Sequence, residues 1–363
     1  MPLESVRGQP LHTKRMASQV KDTAWLEWIA GLMGVGSRRT HSATLPPGQF
    51  HCLLEELPLH LIPQGLESQC WWQKLSHEDF FLNPQCSVLP PGQVPEELEL
   101  HRDLLKDFYL QGTMAWVRDP ATDSLQPFWL GSRLEAVVAS LPAGTPVPDT
   151  VPRDVLLLLA GAGILTTKAH AERRLAEWAE VVRKGAQQFR ERGYVPLRDL
   201  IHSFNLAALR RYYRHAIRRG AISLGDVQSP RRYAAHNDDV ARFYHHQITN
   251  AVSAIVGEAI KPSYVYLASY LSGAELKKHI DREQCEFSVT LCLDFSPEPE
   301  VATSWPIRLD TAEGTVTVYQ ALGDGLVYRG TKVPHYRDVL GEGHTSTSIF
   351  FHYVPADFSG ELE

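Results

Sequence analysis

The sequence predicts an α+β protein in which a mainly helical region precedes a C-terminal double-stranded β-helix, or jelly roll. Ahead of residue 260, several segments have apolar residues at helical spacing. After Lys261-Pro262, short β-rich segments alternate with Gly, Pro and Asp turns, and no helical pattern interrupts them. Many short strands with frequent turns are typical of a sandwich or barrel, and a jelly roll is the natural way to close them.

Four parts are expected along the 363 residues. Residues 1–22 are polar and basic, lack the apolar core of a signal peptide, and are expected to be a disordered tail. Residues 23–165 are expected to form an accessory domain, in which two helices beside a small hairpin suggest a winged-helix-like module. Residues 166–260 are expected to be a partly basic helical region, and residues 261–363 the jelly roll.

Apolar periodicity and turn signals place the elements within these parts. In the accessory domain, helices are expected at Glu96–Gln111, 134–141 and 151–165, with strands at 113–117 and 125–129. Further helices are expected at 169–192 and 238–260. The strands of the jelly roll are expected at 264–271, 287–295, 307–309, 315–320, 325–328 and 345–353.

The composition limits the function classes. The formal net charge of −6 argues against whole-chain nucleic-acid binding, for which a basic balance is usual. Five cysteines at irregular spacing include no CxxC pair, so neither a zinc knuckle nor a redox dithiol is indicated. Because no apolar run reaches about 18 residues, no membrane span is expected, and a cytoplasmic location is the default. The oligomeric state is left open.

Residues 168–219 are more basic than the rest, with 13 Arg and Lys against five Asp and Glu. The first half of this stretch has an apolar stripe at helical spacing, so one interpretation is an amphipathic helix with a solvated basic face. The other interpretation is an electrostatic surface for an acidic partner, either nucleic acid or an acidic peptide. The sequence alone leaves both open.

A candidate metal centre lies in the strand-rich part. His279-Ile280-Asp281 is an H-x-D motif, and in an extended segment alternate side chains point to the same face. His335 follows 56 residues after His279, at the entry of a late strand. Two histidines and one carboxylate on one side of a metal form the facial triad of non-haem iron(II) oxygenases, which leaves positions open for other ligands.

The context of this motif carries a family resemblance. The run 269–281 reads strand, glycine turn and H-x-D, the strand 288–294 follows it, and 323–330 precedes His335. In these features the chain resembles the 2-oxoglutarate/Fe(II)-dependent dioxygenase superfamily, prolyl-hydroxylase-like group, over residues 261–355. The resemblance implies that His279, Asp281 and His335 bind Fe(II). It also implies 2-oxoglutarate and O2 as co-substrates, with ascorbate as a candidate stimulant.

The expected residues for 2-oxoglutarate depart from the family pattern in part. Tyr270, nine residues before His279, matches a tyrosine that hydrogen-bonds the co-substrate. The family usually places a cation nine to ten residues after the second histidine, but this chain has no Arg or Lys there. Arg337 is the first candidate to replace it, since it lies two residues past His335 and so on the same face. Second candidates are the cations Arg329 and Lys332, with Thr345 and Thr347 as hydroxyl donors.

The leading hypothesis is an enzyme that hydroxylates an unactivated C–H bond with Fe(II) and 2-oxoglutarate. Asp281 favours hydroxylation or desaturation over halogenation, because related halogenases have a small residue there. The long region ahead of the barrel suggests a peptide or protein side chain as substrate. The alternatives are a nucleic-acid oxygenase or demethylase, a hydroxylase of a small-molecule natural product, a cupin-type isomerase and a non-catalytic jelly-roll binding module. Four other histidines are expected to be structural, namely His236, His245, His246 and His352.

Overall fold

The computed structural model describes residues 48–61, 75–226 and 228–362. The expected tail at 1–22 and parts of the expected accessory domain lie outside these residues. Seven α-helices are found in the described ranges: α1 Glu96–Glu99, α2 Ser132–Ser140, α3 Arg153–Gly161, α4 Lys168–Arg192, α5 Ser203–Arg218, α6 Asp239–Gln247 and α7 Thr249–Val256. None of these helices is both long enough and apolar enough to cross a bilayer.

Sixteen strands accompany the helices in the same ranges. The first eight are β1 Phe81–Leu82, β2 Cys86–Leu89, β3 Met114–Arg118, β4 Leu125–Trp129, β5 Leu165–Thr166, β6 Tyr194–Leu197, β7 Ser223–Leu224 and β8 Arg232–His236. The last eight are β9 Ile260–Tyr270, β10 Leu276–His279, β11 Phe287–Ser296, β12 Ile307–Thr311, β13 Gly314–Val318, β14 Gly325–Arg329, β15 His335–Arg337 and β16 Thr345–Pro355.

Strands β9 to β16 form a jelly roll. They are divided between two antiparallel sheets, with the order β14-β11-β16-β9 in the larger sheet and β10-β15-β12-β13 in the smaller one. Eight strands in two facing sheets with these long-range pairings are the topology of a double-stranded β-helix, as predicted. The larger sheet continues past both edges, with β6 beside β14 and with β8 and β7 beyond β9. It therefore includes strands that precede residue 261.

The predicted helices at 169–192 and 238–260 are confirmed in type. Thr167 caps α4 by accepting a hydrogen bond from the backbone N–H of His170, and Gly193 ends it in a left-handed conformation. Asp238 caps α6 in the same way through Ala241, and Gly257 ends α7. The second segment is two helices rather than one, and they meet at Ile248, a cap residue shared by α6 and α7 with φ −92° and ψ 0°.

The region ahead of α4 differs from prediction in two respects. The helix predicted at Glu96–Gln111 is wrong in extent. α1 ends near Leu100, whose side chain is 90% exposed, and a separate 3₁₀ turn at Arg102–Leu105 buries the next leucines. Strands β3 and β4 form the predicted hairpin, but they join β2 in a sheet and are almost wholly buried. A wing would be exposed, so the structure does not show the expected winged-helix-like module.

Most cations of residues 168–219 have partners within the fold. Arg210 on α5 is fully buried and pairs with Asp294 on β11 and with Glu298. Arg214 binds the same Asp294. Some cations pair within helix α4, namely Arg173–Glu177, Arg183–Glu180 and Lys184–Glu180. Others bind groups distant in sequence, namely Arg174–Asp119, Arg198–Asp324 and Arg211 with the carbonyl of His51. Arg174, Arg210, Arg211 and Arg214 therefore attach the helices to the rest of the fold, whereas Arg173, Arg183 and Lys184 form exposed pairs within α4. The long-range pairs weaken the interpretation of this stretch as a surface for an acidic partner.

Candidate metal centre and co-substrate pocket

Two short strands of the smaller sheet bring the predicted metal ligands together. His279 ends β10, His335 begins β15, and the antiparallel register pairs the two residues directly. Their ring centroids are 4.3 Å apart. Asp281 follows β10, where its backbone N–H donates to the carbonyl of Gly330 at 2.9 Å. Its Oδ1 lies 3.5 Å from Nε2 of each histidine.

Both imidazoles are oriented by their own strands. Nδ1 of His279 lies 2.8 Å from the carbonyl of Lys277, and Nδ1 of His335 lies 3.0 Å from the carbonyl of Val333. A carbonyl can only accept, so each Nδ1 carries a proton, and a metal would bind at Nε2 in place of the hydrogen bond to Asp281. Nε2 is therefore the ring atom available to a metal. The fold therefore places two potential metal-binding nitrogens beside one carboxylate oxygen of Asp281.

The charge of Asp281 suits a cation. Burial alone would raise the pKa of its carboxyl, but hydrogen bonds with His279 and His335 outweigh it and hold the pKa well below its usual range. The hydrogen bond with Asp281 also raises the pKa of His279. The carboxylate therefore stays ionised at neutral pH.

The donor set fits a divalent iron ion. The three ligand atoms lie within 4.8 Å of one another. Neighbouring ligands of an ion bound at roughly 2.1 Å are about 3 Å apart, so small side-chain movements close the site. Two imidazoles and one carboxylate on one face match the set that binds non-haem Fe(II) and leaves positions open.

Arg337 is a buried cation on the strand that begins with His335. It is 4% exposed, and it donates to the carbonyl of Trp305 and, at 3.0 Å, to Oε1 of Gln320. Its guanidinium lies 4.9 Å from the centroid of the Trp305 ring. Burial lowers its pKa, and no carboxylate in the described part of the chain lies within ion-pair distance of it. A buried cation without a counter-charge is costly unless a bound anion neutralises it.

Arg337 lies next to a buried apolar cluster through Trp305, Tyr270 and Cys292. The cluster comprises Ala268, Tyr270, Ala274, Cys292, Phe295, Trp305, Leu322, Leu340 and Phe350. Tyr270 is close enough to Arg337 to interact electrostatically, and its ring lies 5.0 Å from that of Trp305. Ser348 pairs with Ala268 and Cys292, so its hydroxyl is on the inner face. That hydroxyl is buried and has no hydrogen-bond partner within the described ranges.

The other predicted co-substrate residues are not brought to Arg337. Thr347 lies on the outer face of the larger sheet, where its hydroxyl donates to Ser269 at 2.8 Å. Thr345 shares that face by the alternation of the strand. Arg329 and Lys332 each lie 3.2 Å from Glu286. The alternation of Thr and Ser in residues 345–348 indicates that the two threonines share one face of the strand and the two serines the other. Only the strand register shows that the serines point inward.

Behind the metal ligands are three residues that the sequence did not single out for the site. Tyr328 places its hydroxyl 3.4 Å from Nε2 of His335. Ser288 donates to Oδ2 of Asp281 at 2.8 Å, and it also lies 2.9 Å from Nδ1 of His352. His352, expected to be structural, is therefore connected to the predicted ligand Asp281 by two hydrogen bonds through Ser288.

Comparisons with known proteins give fold-level similarity at low identity. No family model matches the chain, and no curated protein matches it. One similar solved structure is the non-haem α-ketoglutarate-dependent epimerase SnoN of nogalamycin biosynthesis, at 12% identity and a TM-score of 0.42, covering 49% of this chain and 84% of that one. A Pseudomonas putida prolyl-4-hydroxylase has 18% identity and a TM-score of 0.40, with coverages of 47% and 99%.

A third similar structure is HygX from Streptomyces hygroscopicus, with nickel, 2-oxoglutarate and hygromycin B bound. It has 13% identity and a TM-score of 0.39, and the alignment covers 48% of this chain and 88% of that one. At these values the similarities assign no activity to this chain, whose chemistry has to be inferred from its own residues.

Proposed function

We propose that the chain is an Fe(II)- and 2-oxoglutarate-dependent oxygenase that hydroxylates an unactivated C–H bond. One observation carries this proposal. The candidate ligand His335 and the buried Arg337, which has no carboxylate partner among the described residues, lie two residues apart on β15. Two residues of a strand span roughly 6.6 Å, and they point to the same face. This spacing suits a short dicarboxylate with one end at the metal and the other at the guanidinium.

Each group of residues then has a distinct task. His279, Asp281 and His335 would hold Fe(II), and Arg337 would bind the distal carboxylate of 2-oxoglutarate. The Tyr270 and Ser348 hydroxyls are available to complete its hydrogen bonding, and the apolar cluster around them keeps water away from the ion pair. When bound, the iron supplies the oxygen chemistry that couples decarboxylation of 2-oxoglutarate to hydroxylation of a substrate.

For the substrate we favour a peptide or protein side chain. The side chain of His279 is 37% exposed and that of the neighbouring Ile280 is 54% exposed, so the metal centre opens to solvent along β10. Such an opening admits a bulky substrate, whereas small-molecule sites bury most of their ligand. The nucleic-acid alternative loses its main support, because most cations of residues 168–219 are engaged within the fold.

Succinate formation tests the reaction. Purified protein with Fe(II), ascorbate and 2-oxoglutarate should produce succinate, and Asp281→Ala should abolish it. Asp310→Ala is a matched control, since Asp310 is a partly exposed aspartate of the same sheet whose side chain pairs with Lys278 and Thr315. Equal turnover in Asp281→Ala, or no turnover in the wild-type protein with any substrate class, would contradict the proposal. Mass spectrometry of peptides, proteins and small molecules for a gain of one oxygen tests the substrate class.

A further inference from the structure

The two oxygens of Asp281 have different partners. Oδ1 faces Nε2 of both histidine ligands at 3.5 Å. Oδ2 points away from them and accepts a hydrogen bond from the hydroxyl of Ser288 at 2.8 Å. The carboxylate thus offers one oxygen to the candidate metal position and has the other engaged.

The proton positions in the hydrogen-bonded series His352, Ser288 and Asp281 follow from what each group can donate. Ser288 has one hydroxyl proton, and it must go to Asp281 because an ionised carboxylate can only accept. Ser288 Oγ therefore accepts the hydrogen bond from Nδ1 of His352, 2.9 Å away. His352 carries a proton on Nδ1, and the hydrogen bonds run in one direction, from His352 through Ser288 to Asp281. The Tyr264 ring, 4.6 Å from that of His352, packs against the imidazole.

Backbone packing fixes the same oxygen from another side. A Cβ atom at Gly330 would lie 2.4 Å from Oδ2 of Asp281 and 2.7 Å from Oγ of Ser288. The carbonyl of Gly330 also accepts the backbone N–H of Asp281. The carboxylate therefore fits into a space that only glycine leaves open, and it has little freedom to rotate.

We propose that Ser288 and His352 are positioning residues that keep Asp281 a one-oxygen ligand. This inference rests on the metal centre of the proposed function. A carboxylate that bound through both oxygens would occupy one of the three positions that the facial triad leaves free. With Oδ2 held by Ser288, all three stay available for an oxoacid and for oxygen.

A competing assignment makes His352 a direct ligand. Asp281, Cys285 and His352 also place potential ligand atoms within 4.8 Å of one another. The two assignments differ in what His352 must provide. A positioning residue needs only an N–H at the place of Nδ1, which an asparagine side chain can supply, whereas a ligand needs a ring lone pair.

Titration of metal-free full-length protein with Co(II), followed by visible absorption, tests the inference apart from turnover. We expect Ser288→Ala and His352→Leu each to weaken Co(II) binding about 10- to 100-fold and to change the absorption spectrum. Because both substitutions break the same series of hydrogen bonds, the double variant should lose no more Co(II) affinity than either single variant. His352→Asn should keep near-wild-type affinity. Ser269→Ala is the control, a buried serine whose hydroxyl pairs with Thr347 on the outer face.

Three other results would each overturn a different claim about Ser288, His352 or the metal centre. If Ser288→Ala binds Co(II) with the affinity and spectrum of Ser269→Ala while the wild-type protein forms succinate, the positioning role is wrong and the proposed function stands. If His352→Asn abolishes binding as completely as His335→Ala does, His352 is a ligand. If the wild-type protein binds no Co(II) at all, both the metal centre and this inference fall.

Discussion

Replacement of Arg337 by methionine should separate co-substrate binding from stability. The substitution fills similar space but removes a cation that is buried and has no carboxylate partner in the described part of the chain. Loss of one member of a buried, hydrogen-bonded charge pair costs about 2–5 kcal/mol of binding. At about 1.4 kcal/mol for each tenfold change, the KM for 2-oxoglutarate should rise roughly 30- to 3,000-fold.

The free energy of unfolding without ligands should change much less. Arg337→Met leaves the carbonyl of Trp305 and Oε1 of Gln320 without a donor, which costs about 1–3 kcal/mol each at most. Removing a desolvated charge acts in the opposite direction. We therefore expect a small net change in the urea midpoint beside a large change in KM. A merely structural arginine would show the reverse.

The assay measures succinate formation over a range of 2-oxoglutarate concentrations, and again with 2-oxobutyrate, which lacks the distal carboxylate. The wild-type enzyme should prefer 2-oxoglutarate strongly, and Arg337→Met should lose that preference. Arg308→Met is the control, because Arg308 belongs to the same sheet but pairs with the partly exposed Asp338. A wild-type KM in Arg337→Met would refute the assignment and place the anion elsewhere.

Three further expectations concern other parts of the molecule. Gly330→Ala should weaken Co(II) binding at least tenfold, because the new methyl group would meet Oδ2 of Asp281 at 2.4 Å. Arg210→Met should lower the free energy of unfolding by about 3 kcal/mol in urea titrations, because it leaves buried Asp294 short of a partner. Burial lowers the pKa of His202 to about 4 from 6.5, so its protonation favours the unfolded chain. Unfolding should become easier as pH falls from about 6.5 to about 4, and His202→Asn should remove on the order of 2 kcal/mol of that loss.

Matched variants decide whether these effects are specific. Arg183→Met breaks an exposed pair with Glu180 and should leave the urea midpoint unchanged, so an equal loss in both arginine variants would contradict the buried network. His202→Asn keeps an acceptor for the backbone N–H of Phe204, the bond that caps α5. A pH dependence as steep as that of the wild-type protein would exclude His202 as its source. Wild-type Co(II) affinity in Gly330→Ala would show that the carboxylate can shift without cost.

The clustering of His279, Asp281 and His335 could be predicted because their residue types and spacing are distinctive. The strands that carry them were harder to see, since β10 reads Leu-Lys-Lys-His and β15 reads His-Tyr-Arg. Both are too short and polar for an apolar alternation, because their side chains serve a site or face solvent. Ser288 and Ser348 were missed for a related reason. Their roles depend on strand register, and a shift of one residue reverses every side chain.

Charge was the least predictable property. The count of cations in residues 168–219 suggested a binding surface, but the partner of Arg210 lies 84 residues further along the chain. No local pattern reveals such a pair. For Arg337, the sequence shows its place two residues after His335, but it does not show that no carboxylate of the described residues pairs with it. Local spacing therefore predicts side-chain direction better than it predicts the electrostatic surroundings of a side chain.

The extra strands of the larger sheet limit how this protein can be divided. β6 covers the edge of β14, and β8 covers the edge of β9. A fragment that began at residue 261 would expose both edges as rows of unpaired N–H and C=O groups, which favour edge-to-edge aggregation. The barrel is therefore not a portable module. Gene fusions, truncations and recombination with other barrels have to preserve the chain from at least Tyr194 onward.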